Sequence, residues 1–382
     1  MRTKHSLTAT AAASALLAVT AALLAAVGPA WSAPDPTPIE EFWTPERMAR
    51  AEPVEERQAR EGVSGSPSHT FPSHTFKGIK EVGTFYWARK AGDEYPDRYD
   101  YRFCGGTVVP SPGRNLVVSA AHCFDTDGRQ ENLVFVPQHS AKSPMPHGMY
   151  PVEKGHIFKK PGYTGSKKSE EALTDVDVAF LATEPRGDGK EVEDVVGAIP
   201  MGFDTGFHHT VLAIGYPYLY GGGSYQPKQD PLGCTTPTKK YTTGDVRDGG
   251  GRVWRGGTFT EINCDGYVGG TSGGPFITAG AEPPRLIGVT GGWMTGGHSA
   301  DTSYASYFDD DIKRVYVAAK ADRGDRGSDR DRGSGRDRGR GSGRDRRRHA
   351  QMRRTAKDGQ RRTARSARKS APAALEPHEP RA

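Results

Sequence analysis

A serine within a run of glycines is the best candidate nucleophile in this sequence. Ser272 lies in residues 269–275 (GGTSGGP), where four glycines surround it and a proline follows. Glycine weakens both helices and strands, so the stretch predicts a tight turn with an exposed hydroxyl. In such a turn the backbone N–H groups of Gly270 and Ser272 can point at one position and stabilise an oxyanion. The alternative is an ordinary glycine-rich surface loop, since the chain has 49 glycines among 382 residues.

Two other stretches carry groups that can activate a serine. Residues 116–123 (LVVSAAHC) run from apolar to small side chains and then to His122, a candidate general base. Asp177 stands directly before the apolar residues 178–181; a buried aspartate usually has a partner, and a histidine ring N–H would suit it. Alone, each stretch is explained as well by a structural histidine or by an Asp turn before a strand. Together they give the chain order His, Asp, Ser, which is a known order for a Ser-His-Asp site.

The residues around these groups predict a β-rich body. From residue 76 to about 319, short apolar or alternating runs recur and are separated by Gly, Pro and Asp clusters. Many short strands with turn signals predict an all-β sandwich or a pair of barrels. A helix is expected to close the region, because the acids at 309–311 favour a helix start and Ile312, Val315 and Tyr316 follow at helical spacing.

The first residues predict export. A basic start precedes an apolar run over residues 11–27, and small residues follow. This pattern is typical of a secretory signal peptide spanning residues 1–33, with cleavage after Ala30 or Ala33. A membrane anchor is the less favoured alternative, because the run is shorter than the roughly 20 apolar residues that a span needs. The predicted location of the mature protein is therefore secreted and extracellular.

The next segment has the composition of a pro-segment or linker. Residues 34–75 are rich in Pro, Glu, Arg and Ser. Within them, Thr44 can cap a short helix that has a proline at its first position. The motif SHTF occurs twice, and metal binding by His69 and His74 is an alternative that we favour less than a flexible linker. The folded domain is predicted to span residues 76–320.

Charge separates the C-terminal end from the rest of the chain. Residues 321–382 contain 20 Lys and Arg against 9 Asp and Glu, whereas the whole chain has a net charge of +6. The body is therefore mildly acidic, and the overall charge does not indicate nucleic-acid binding. The tail repeats Arg, Asp, Gly and Ser and is predicted to be disordered. Its arginines could hold an anionic polymer or a cell wall, although a solvated extension is the favoured alternative.

Four cysteines in an exported chain predict two disulfides. They are Cys104, Cys123, Cys234 and Cys264. The residue types alone allow three pairings, and free buried thiols are the less favoured alternative. Each bridge of a sequential pairing would stabilise the fold by roughly 3–4 kcal/mol in the chain-entropy model. The sequence shows neither a cluster with metal-ligand spacing nor a nucleotide-binding glycine pattern, so we expect no metal and no other cofactor.

Four blocks resemble the signature blocks of trypsin-like, chymotrypsin-fold serine endopeptidases. They are residues 103–109 (FCGGTVV), 119–123 (SAAHC), 177–181 (DVAFL) and 270–275 (GTSGGP), and the likeness runs from about 76 to 319. The pieces VGTFY at 82–86 and IGYP at 214–217 are similar to the bacterial glutamyl-endopeptidase-like branch. The resemblance implies an all-β fold of two packed six-stranded antiparallel β-barrels with a C-terminal helix, and an active site between the barrels.

The resemblance implies a role for each candidate residue. His122 is the base, Asp177 orients it, and Ser272 is the nucleophile. The N–H groups of Gly270 and Ser272 form the oxyanion hole. Asp175 is the less favoured acid, because the family places its acid directly before an aliphatic residue and alanine. The implied protein is a monomeric, secreted serine endopeptidase that acts on polypeptides through an acyl-enzyme; the alternative is a catalytically silent protease-like binding module whose tail holds anionic surfaces.

The resemblance also implies one disulfide and one departure from the family. Cys104–Cys123 matches the family's bridge beside the histidine, whereas Cys234–Cys264 follows only from pairing the two cysteines that remain. Thr271 stands where members activated by a freed N-terminal amine carry an acid, and no Ile-Val-Gly-Gly start is present. That activation switch is therefore expected to be absent, and the site to be preformed once the pro-segment leaves.

Four residues are candidates for the substrate pocket: Gly266, Thr290, Gly291 and Gly292. Gly266 replaces the acid that binds basic side chains in trypsin, and Thr290 replaces the histidine of the glutamate-specific branch. Neither a basic nor an acidic preference is therefore predicted. The two adjacent glycines would leave the pocket open, and Trp293 would form one wall.

Overall fold

The chain is described by a computed structural model that covers residues 38–54, 69–90, 99–124, 130–161, 163, 171–172, 174–221, 224–227, 230–247, 251, 253–297 and 299–321. The predicted signal peptide and nearly all of the basic tail lie outside the described residues. Within the described part, no helix has the length and apolar character needed to cross a bilayer.

The described residues form many short strands and a few helices. The strands are β1 (Glu52–Pro53), β2 (His74–Thr75), β3 (Val82–Lys90), β4 (Tyr99–Val109), β5 (Leu116–Ser119), β6 (Glu131–Pro137), β7 (Tyr150–Lys159), β8 (Glu171–Ala172), β9 (Ala179–Thr183), β10 (Thr210–Gly215), β11 (Tyr218–Gly221), β12 (Ser224–Pro227), β13 (Leu232–Pro237), β14 (Lys239–Thr243), β15 (Val246–Arg247), β16 (Val253–Trp254), β17 (Gly257–Ile262), β18 (Pro275–Thr278), β19 (Leu286–Val289) and β20 (Ser303–Ser306). The helices are α1 (Pro38–Phe42), α2 (Pro45–Ala49), α3 (Val192–Val196) and α4 (Asp310–Ala321), with 3₁₀ turns at Ala121–Cys123 and Trp293–Gly296.

The first barrel is a closed ring of six antiparallel strands. Its hydrogen-bonded order is β3, β4, β5, β9, β7, β6 and back to β3. Successive side chains of a strand point to opposite faces. Phe85 and Trp87 of β3 accordingly lie in the cluster inside this barrel, whereas Tyr86 joins the main core cluster on its other face. The predicted all-β barrel is confirmed for this half of the fold.

The second half consists of two sheets, and the chain passes directly from a strand of one sheet into the first strand of the other. β19, β18, β10, β13 and β2 form a five-stranded sheet, and β14, β17 and β20 form a three-stranded one. Only Thr238 separates β13 from β14, and a bridge between Thr290 and Ala305 connects the end of β19 to β20. The strands of a second barrel thus follow one another in the order β18, β10, β13, β14, β17, β20 and β19. This barrel is less regular than the first.

The predicted C-terminal helix is α4. The Oδ1 atom of Asp309 accepts a hydrogen bond from the N–H of Ile312 at 3.2 Å and so caps the helix start. The buried residues of the helix are Ile312, Val315, Tyr316 and Ala319. The Tyr316 hydroxyl donates to the carbonyl oxygen of Pro110 at 2.5 Å, and its ring centroid lies 5.3 Å from that of Phe180. These contacts attach the helix to the first barrel.

Residues 38–54 pack onto the first barrel, although composition assigned them to a pro-segment or linker. Trp43, Met48 and Ala51 are buried in the main core cluster, and the Trp43 Nε1–H donates to the carbonyl oxygen of Asn132 at 2.6 Å. β1 pairs in parallel with β4 and adds a short strand outside the ring. The three buried residues follow no regular period, so the sequence gives no local signal for this packing.

The N-terminal region also contains a helix cap, an edge strand and two histidines. Thr44 caps α2 as predicted, because its Oγ1 accepts a hydrogen bond from the N–H of Arg47 at 3.3 Å. β2 pairs with β13 at the edge of the five-stranded sheet. His69 and His74 are exposed, and the ring of each lies near the phenylalanine two residues further on. The predicted linker thus contributes an edge strand to the second barrel.

Candidate active site

The candidate base lies on a short turn that is attached to two strands. His122 is the middle residue of the 3₁₀ turn Ala121–Cys123, two residues after the end of β5. A disulfide joins Cys123 to Cys104 on β4, and a second joins Cys234 to Cys264, so both bridges of the sequential pairing are present. The small side chains before the histidine allow the close turn, and the imidazole is buried.

Asp177 lies against this histidine and accepts four hydrogen bonds. Its Oδ2 is 2.6 Å from the His122 Nδ1 and 2.8 Å from the Gly292 backbone nitrogen. Its Oδ1 accepts from the backbone N–H of His122 and from the Tyr163 hydroxyl, both at 2.8 Å. With both oxygens engaged, the carboxylate has one defined orientation toward the imidazole.

The Asp177 carboxyl is ionised despite its burial. Burial alone would raise the pKa of this carboxyl, but the charge of His122 and the hydrogen bonds from His122 and Gly292 outweigh it and place the pKa below the usual value. An ionised Oδ2 at this distance makes Nδ1 the protonated ring nitrogen. The histidine therefore presents Nε2 as the nitrogen that can take a proton.

The backbone of Asp177 is fixed by a second contact across the fold. Its N–H donates to the Oγ of Ser306 on β20 at 3.0 Å, and this hydroxyl donates to the carbonyl oxygen of Thr174 at 3.2 Å. The strand of the second barrel thus holds the loop that enters β9. The less favoured acid, Asp175, is exposed and faces Gly257, where a Cβ would lie 3.1 Å from the Asp175 Cβ.

The candidate nucleophile lies in a turn that strand β4 and the end of β19 hold. The carbonyl oxygen of Ser272 accepts from the Gly105 N–H at 2.7 Å. Gly273 donates to the carbonyl oxygen of Thr290, and Thr290 donates back to that of Gly274, both at 2.7 Å. Ser272 is 4% exposed. The predicted glycine-rich turn is present, and backbone bonds on two sides define its shape. These bonds hold the turn against its neighbours, so Ser272 is buried and not exposed as predicted.

Two glycines of the turn are required by close approach. Gly270 has φ of 97°, and a Cβ there would lie 2.5 Å from the carbonyl oxygen of Tyr216. Gly273 has φ of 78°, and a Cβ there would lie 2.2 Å from the carbonyl oxygen of Gly105 and 2.3 Å from the Oγ of Ser119. Neither position accommodates a larger residue without movement of the backbone.

Thr271 stands directly before Ser272, at the position where proteases activated by a freed N-terminal amine carry an acid. Hydrogen bonds within the turn hold it. Its Oγ1 donates to the carbonyl oxygen of Val268 at 2.9 Å, and its N–H reaches the same oxygen at 3.2 Å. The side chain is fully buried, and its methyl carbon lies 2.6 Å from where a Cβ on Gly215 would be. The turn is therefore stabilised from within its own residues.

The structure places the four candidate pocket residues in different locations. Gly292 donates to the Asp177 carboxylate, and a Cβ on Gly291 would lie 3.0 Å from Asp177 Oδ2. These two glycines therefore lie behind the aspartate. Thr290 is fully buried beside the serine turn, and Gly266 has φ of 76° in the loop before it. The structure places Thr290, Gly291 and Gly292 beside the candidate triad, and the role of the four residues in substrate binding stays a prediction.

Sequence reasoning missed the hydroxyl groups that contact Asp177. Tyr163 and Ser306 are 14 and 129 residues away from the aspartate along the chain. For Tyr163 the usable signal is the Pro161 turn that precedes it, which predicts a change of direction and no partner. No signal in the sequence pairs Ser306 with the aspartate.

The groups around His122 do not form a metal site. Cys104, His122 and Cys123 place potential ligand atoms within 4.8 Å of one another. Both sulfurs are joined in a disulfide, and a disulfide does not offer thiolate ligands. This cluster therefore positions the histidine.

Comparisons with known proteins identify the family of the chain. The family model described as Trypsin matches residues 86–309, which is more than half of the chain. No curated protein matches. The fold is similar to protease Anisep from Arthrobacter nicotinovorans, with a TM-score of 0.49 and 19% identity over 65% of this chain and 99% of the other.

Two further solved structures are similar at lower scores. A thermostable serine protease AL20 from an extremophilic microorganism has a TM-score of 0.47 and 20% identity over 63% of this chain and 97% of the other. A Glu endopeptidase in complex with MPD has a TM-score of 0.41 and 15% identity over 66% of this chain and 98% of the other. The family match over residues 86–309 shows that the chain belongs to the trypsin family and is a serine endopeptidase.

Proposed function

We propose that this protein is a secreted endopeptidase that cleaves polypeptides with Ser272, His122 and Asp177 as its catalytic triad. The observation that carries the proposal is the contact of 2.6 Å between His122 Nδ1 and Asp177 Oδ2, with both side chains 1% exposed. A buried, ionised carboxylate on Nδ1 both orients the imidazole and stabilises the imidazolium that forms when the histidine takes a proton.

Each residue has one task in the proposed mechanism. The Ser272 hydroxyl attacks the peptide carbonyl while His122 Nε2 takes its proton. The N–H groups of Gly270 and Ser272 stabilise the tetrahedral oxyanion, and each such donor contributes about 3 kcal/mol. His122 then gives the proton to the leaving amine, and an acyl-enzyme on Ser272 remains. Water attacks this acyl group while His122 takes its proton, and the acyl product leaves Ser272.

We propose that the oxyanion turn is preformed and independent of a freed N-terminal amine. The two hydrogen bonds from Thr271 to Val268 support this, because they fix the turn without a distant charge. The proposed protease domain spans residues 76–320, and residues 38–54 pack against it. Residues 321–382 remain a proposed disordered tail, and the two disulfides support export.

The competing function is a catalytically silent module that binds polypeptides, with a tail that holds anionic polymer. The two are separated by hydrolysis of a denatured polypeptide by the purified, secreted chain. We expect hydrolysis that falls by about 10⁴–10⁶ in Ser272→Ala and in His122→Ala. A loss below tenfold in either variant would remove the triad assignment.

A further inference from the structure

Tyr163 reaches the candidate triad through a turn that the C-terminal helix holds. The Tyr163 N–H donates to the carbonyl oxygen of Lys160 at 3.0 Å, and Pro161 occupies the second position of this turn, where proline is favoured. The ammonium of Lys160 lies 2.5 Å from the Asp311 carboxylate at the start of α4. The turn that carries Tyr163 is thus held by its own backbone hydrogen bond and by the ion pair with α4.

We infer that Tyr163 is a positioning residue for the proposed triad and holds the Asp177 carboxylate in the orientation that His122 requires. The inference rests on the proposed function. The Tyr163 hydroxyl donates to Oδ1 at 2.8 Å, while Oδ2 accepts from the His122 ring at 2.6 Å. A carboxylate can rotate about its Cβ–Cγ bond, so donors on Oδ1 are needed to keep Oδ2 directed at the imidazole.

A second side chain couples Tyr163 to the turn of the histidine. The Lys159 ammonium lies 5.7 Å from the Tyr163 ring centroid and donates to the carbonyl oxygen of Phe124 at 2.5 Å. Phe124 follows the 3₁₀ turn that carries His122. Lys159 therefore contacts both Tyr163 and the residue that follows the His122 turn. Among the described residues, Lys159, Tyr163 and His122 are titratable groups that face Asp177.

Loss of the hydroxyl has two expected consequences. Oδ1 is a charged acceptor and loses the hydrogen bond that the Tyr163 hydroxyl donates, and bonds to charged acceptors are among the stronger kinds in proteins. The carboxylate then holds the imidazole less rigidly, and kcat falls about tenfold. More of the carboxylate charge is then available to a protonated His122, which raises the pH at which the histidine loses its proton. The acid limb of the kcat/KM profile therefore moves to higher pH, while KM stays unchanged.

The experiment compares Tyr163→Phe with Tyr316→Phe in the full secreted chain. Tyr316 also donates a hydroxyl hydrogen bond, to the carbonyl oxygen of Pro110 directly after β4, and not to the triad, so it controls for loss of a tyrosine hydroxyl. Activity is expressed per active site, titrated to completion with a fluorophosphonate, so that misfolded protein does not enter kcat. The downfield proton resonance of the His122 Nδ1–H reports the histidine–aspartate bond directly.

We expect Tyr163→Phe to lower kcat about tenfold, to shift the acid limb upward and to move the Nδ1–H resonance, with Tyr316→Phe equal to wild type. Equal kcat, acid limb and resonance for Tyr163→Phe and wild type would overturn the inference. Ser272→Ala separates the two claims: if it is inactive while Tyr163→Phe equals wild type, the triad stands and the role of Tyr163 fails. If Ser272→Ala keeps its activity, the triad itself fails.

Discussion

The backbone N–H of Gly105 donates to the carbonyl oxygen of Ser272 over 2.7 Å, and this bond connects the proposed nucleophile to the strand that anchors the histidine. The preceding residue on β4, Cys104, is bridged to Cys123 beside His122. A Cβ on Gly105 would lie 2.9 Å from the backbone nitrogen of Gly274, so the approach requires glycine. Cys104 and Gly105, which are adjacent on β4, therefore hold the turn that carries His122 in the first barrel and the turn that carries Ser272 in the second.

The disulfide next to this contact should matter for activity as well as stability. Replacing both Cys104 and Cys123 by serine removes the tie between β4 and the His122 turn. We expect a loss of about 3 kcal/mol in the free energy of unfolding together with a lower kcat. The matched control replaces Cys234 and Cys264 by serine and should show a comparable loss of stability with a smaller change in kcat. Equal kcat values for the two variants would refute the link; denaturant unfolding and kinetics measure both quantities.

Gly270 provides a test of the proposed oxyanion hole. Gly270→Ala places a Cβ at 2.5 Å from the carbonyl oxygen of Tyr216 on a backbone with φ of 97°, so the turn must move. We expect kcat/KM to fall about 10²–10³-fold, as for loss of one oxyanion donor. Gly244→Ala is the control, because no atom lies within 4 Å of its Cβ position. A wild-type kcat/KM in folded Gly270→Ala would contradict the assignment.

The lowered pKa of Asp177 predicts how stability depends on pH. The folded pKa lies below the unfolded value of about 3.9, so ionised Asp177 stabilises the fold above that value, and this contribution is lost as the pH falls through the folded pKa. We expect the Tm of Asp177→Asn to lie below that of wild type at neutral pH, and the gap to narrow below about pH 4.

The exposed Asp175 offers the control for loss of a carboxylate. Asp175→Asn removes a carboxylate two residues earlier and outside the core, so its Tm at neutral pH should stay close to that of wild type. A gap between wild type and Asp177→Asn that stays constant from neutral pH down to about pH 2.5 would show that ionised Asp177 does not stabilise the fold.

The packed N-terminal segment predicts that the active enzyme retains residues 38–54. Trp43 is 1% exposed and hydrogen-bonded to Asn132, so Trp43→Ala should lower the free energy of unfolding by about 3–5 kcal/mol. A chain that starts at residue 38 should be as stable as one that starts at 34, and a chain that starts at 55 should unfold at lower denaturant. Equal stability of all three would mean that the segment is a removable pro-segment.

The parts of the fold that sequence predicted are those with a local signal. The run of apolar residues before His122, the acid before residues 178–181 and the glycines around Ser272 each define a strand end or a turn. Strand and helix patterns predict an all-β body and α4, and the resemblance to the protease family adds the barrel. The cysteine count predicts two bridges without choosing their pairing, and the sequential pairing is present in the structure.

The parts that sequence did not predict depend on contacts between distant residues. Trp43 contacts Tyr86 of β3 and donates to the carbonyl oxygen of Asn132, which is 89 residues away along the chain. The hydrogen bond from Gly292 to the Asp177 carboxylate likewise joins residues that are 115 apart, and the role of Gly291 and Gly292 in the substrate pocket stays a prediction. Tyr163 and Ser306 acquire their roles from the packing of β7, β9 and β20, which a single sequence does not encode in any local pattern.

The most direct test of the proposed triad is covalent labelling of the purified, secreted protein with a fluorophosphonate, followed by mass mapping of the modified peptide. Ser272→Ala is the control for the labelled residue, and His122→Ala is the control for its activation. We expect one adduct, on Ser272, that both variants lose. Absence of an adduct in folded wild-type protein, or an adduct on another residue, would contradict it.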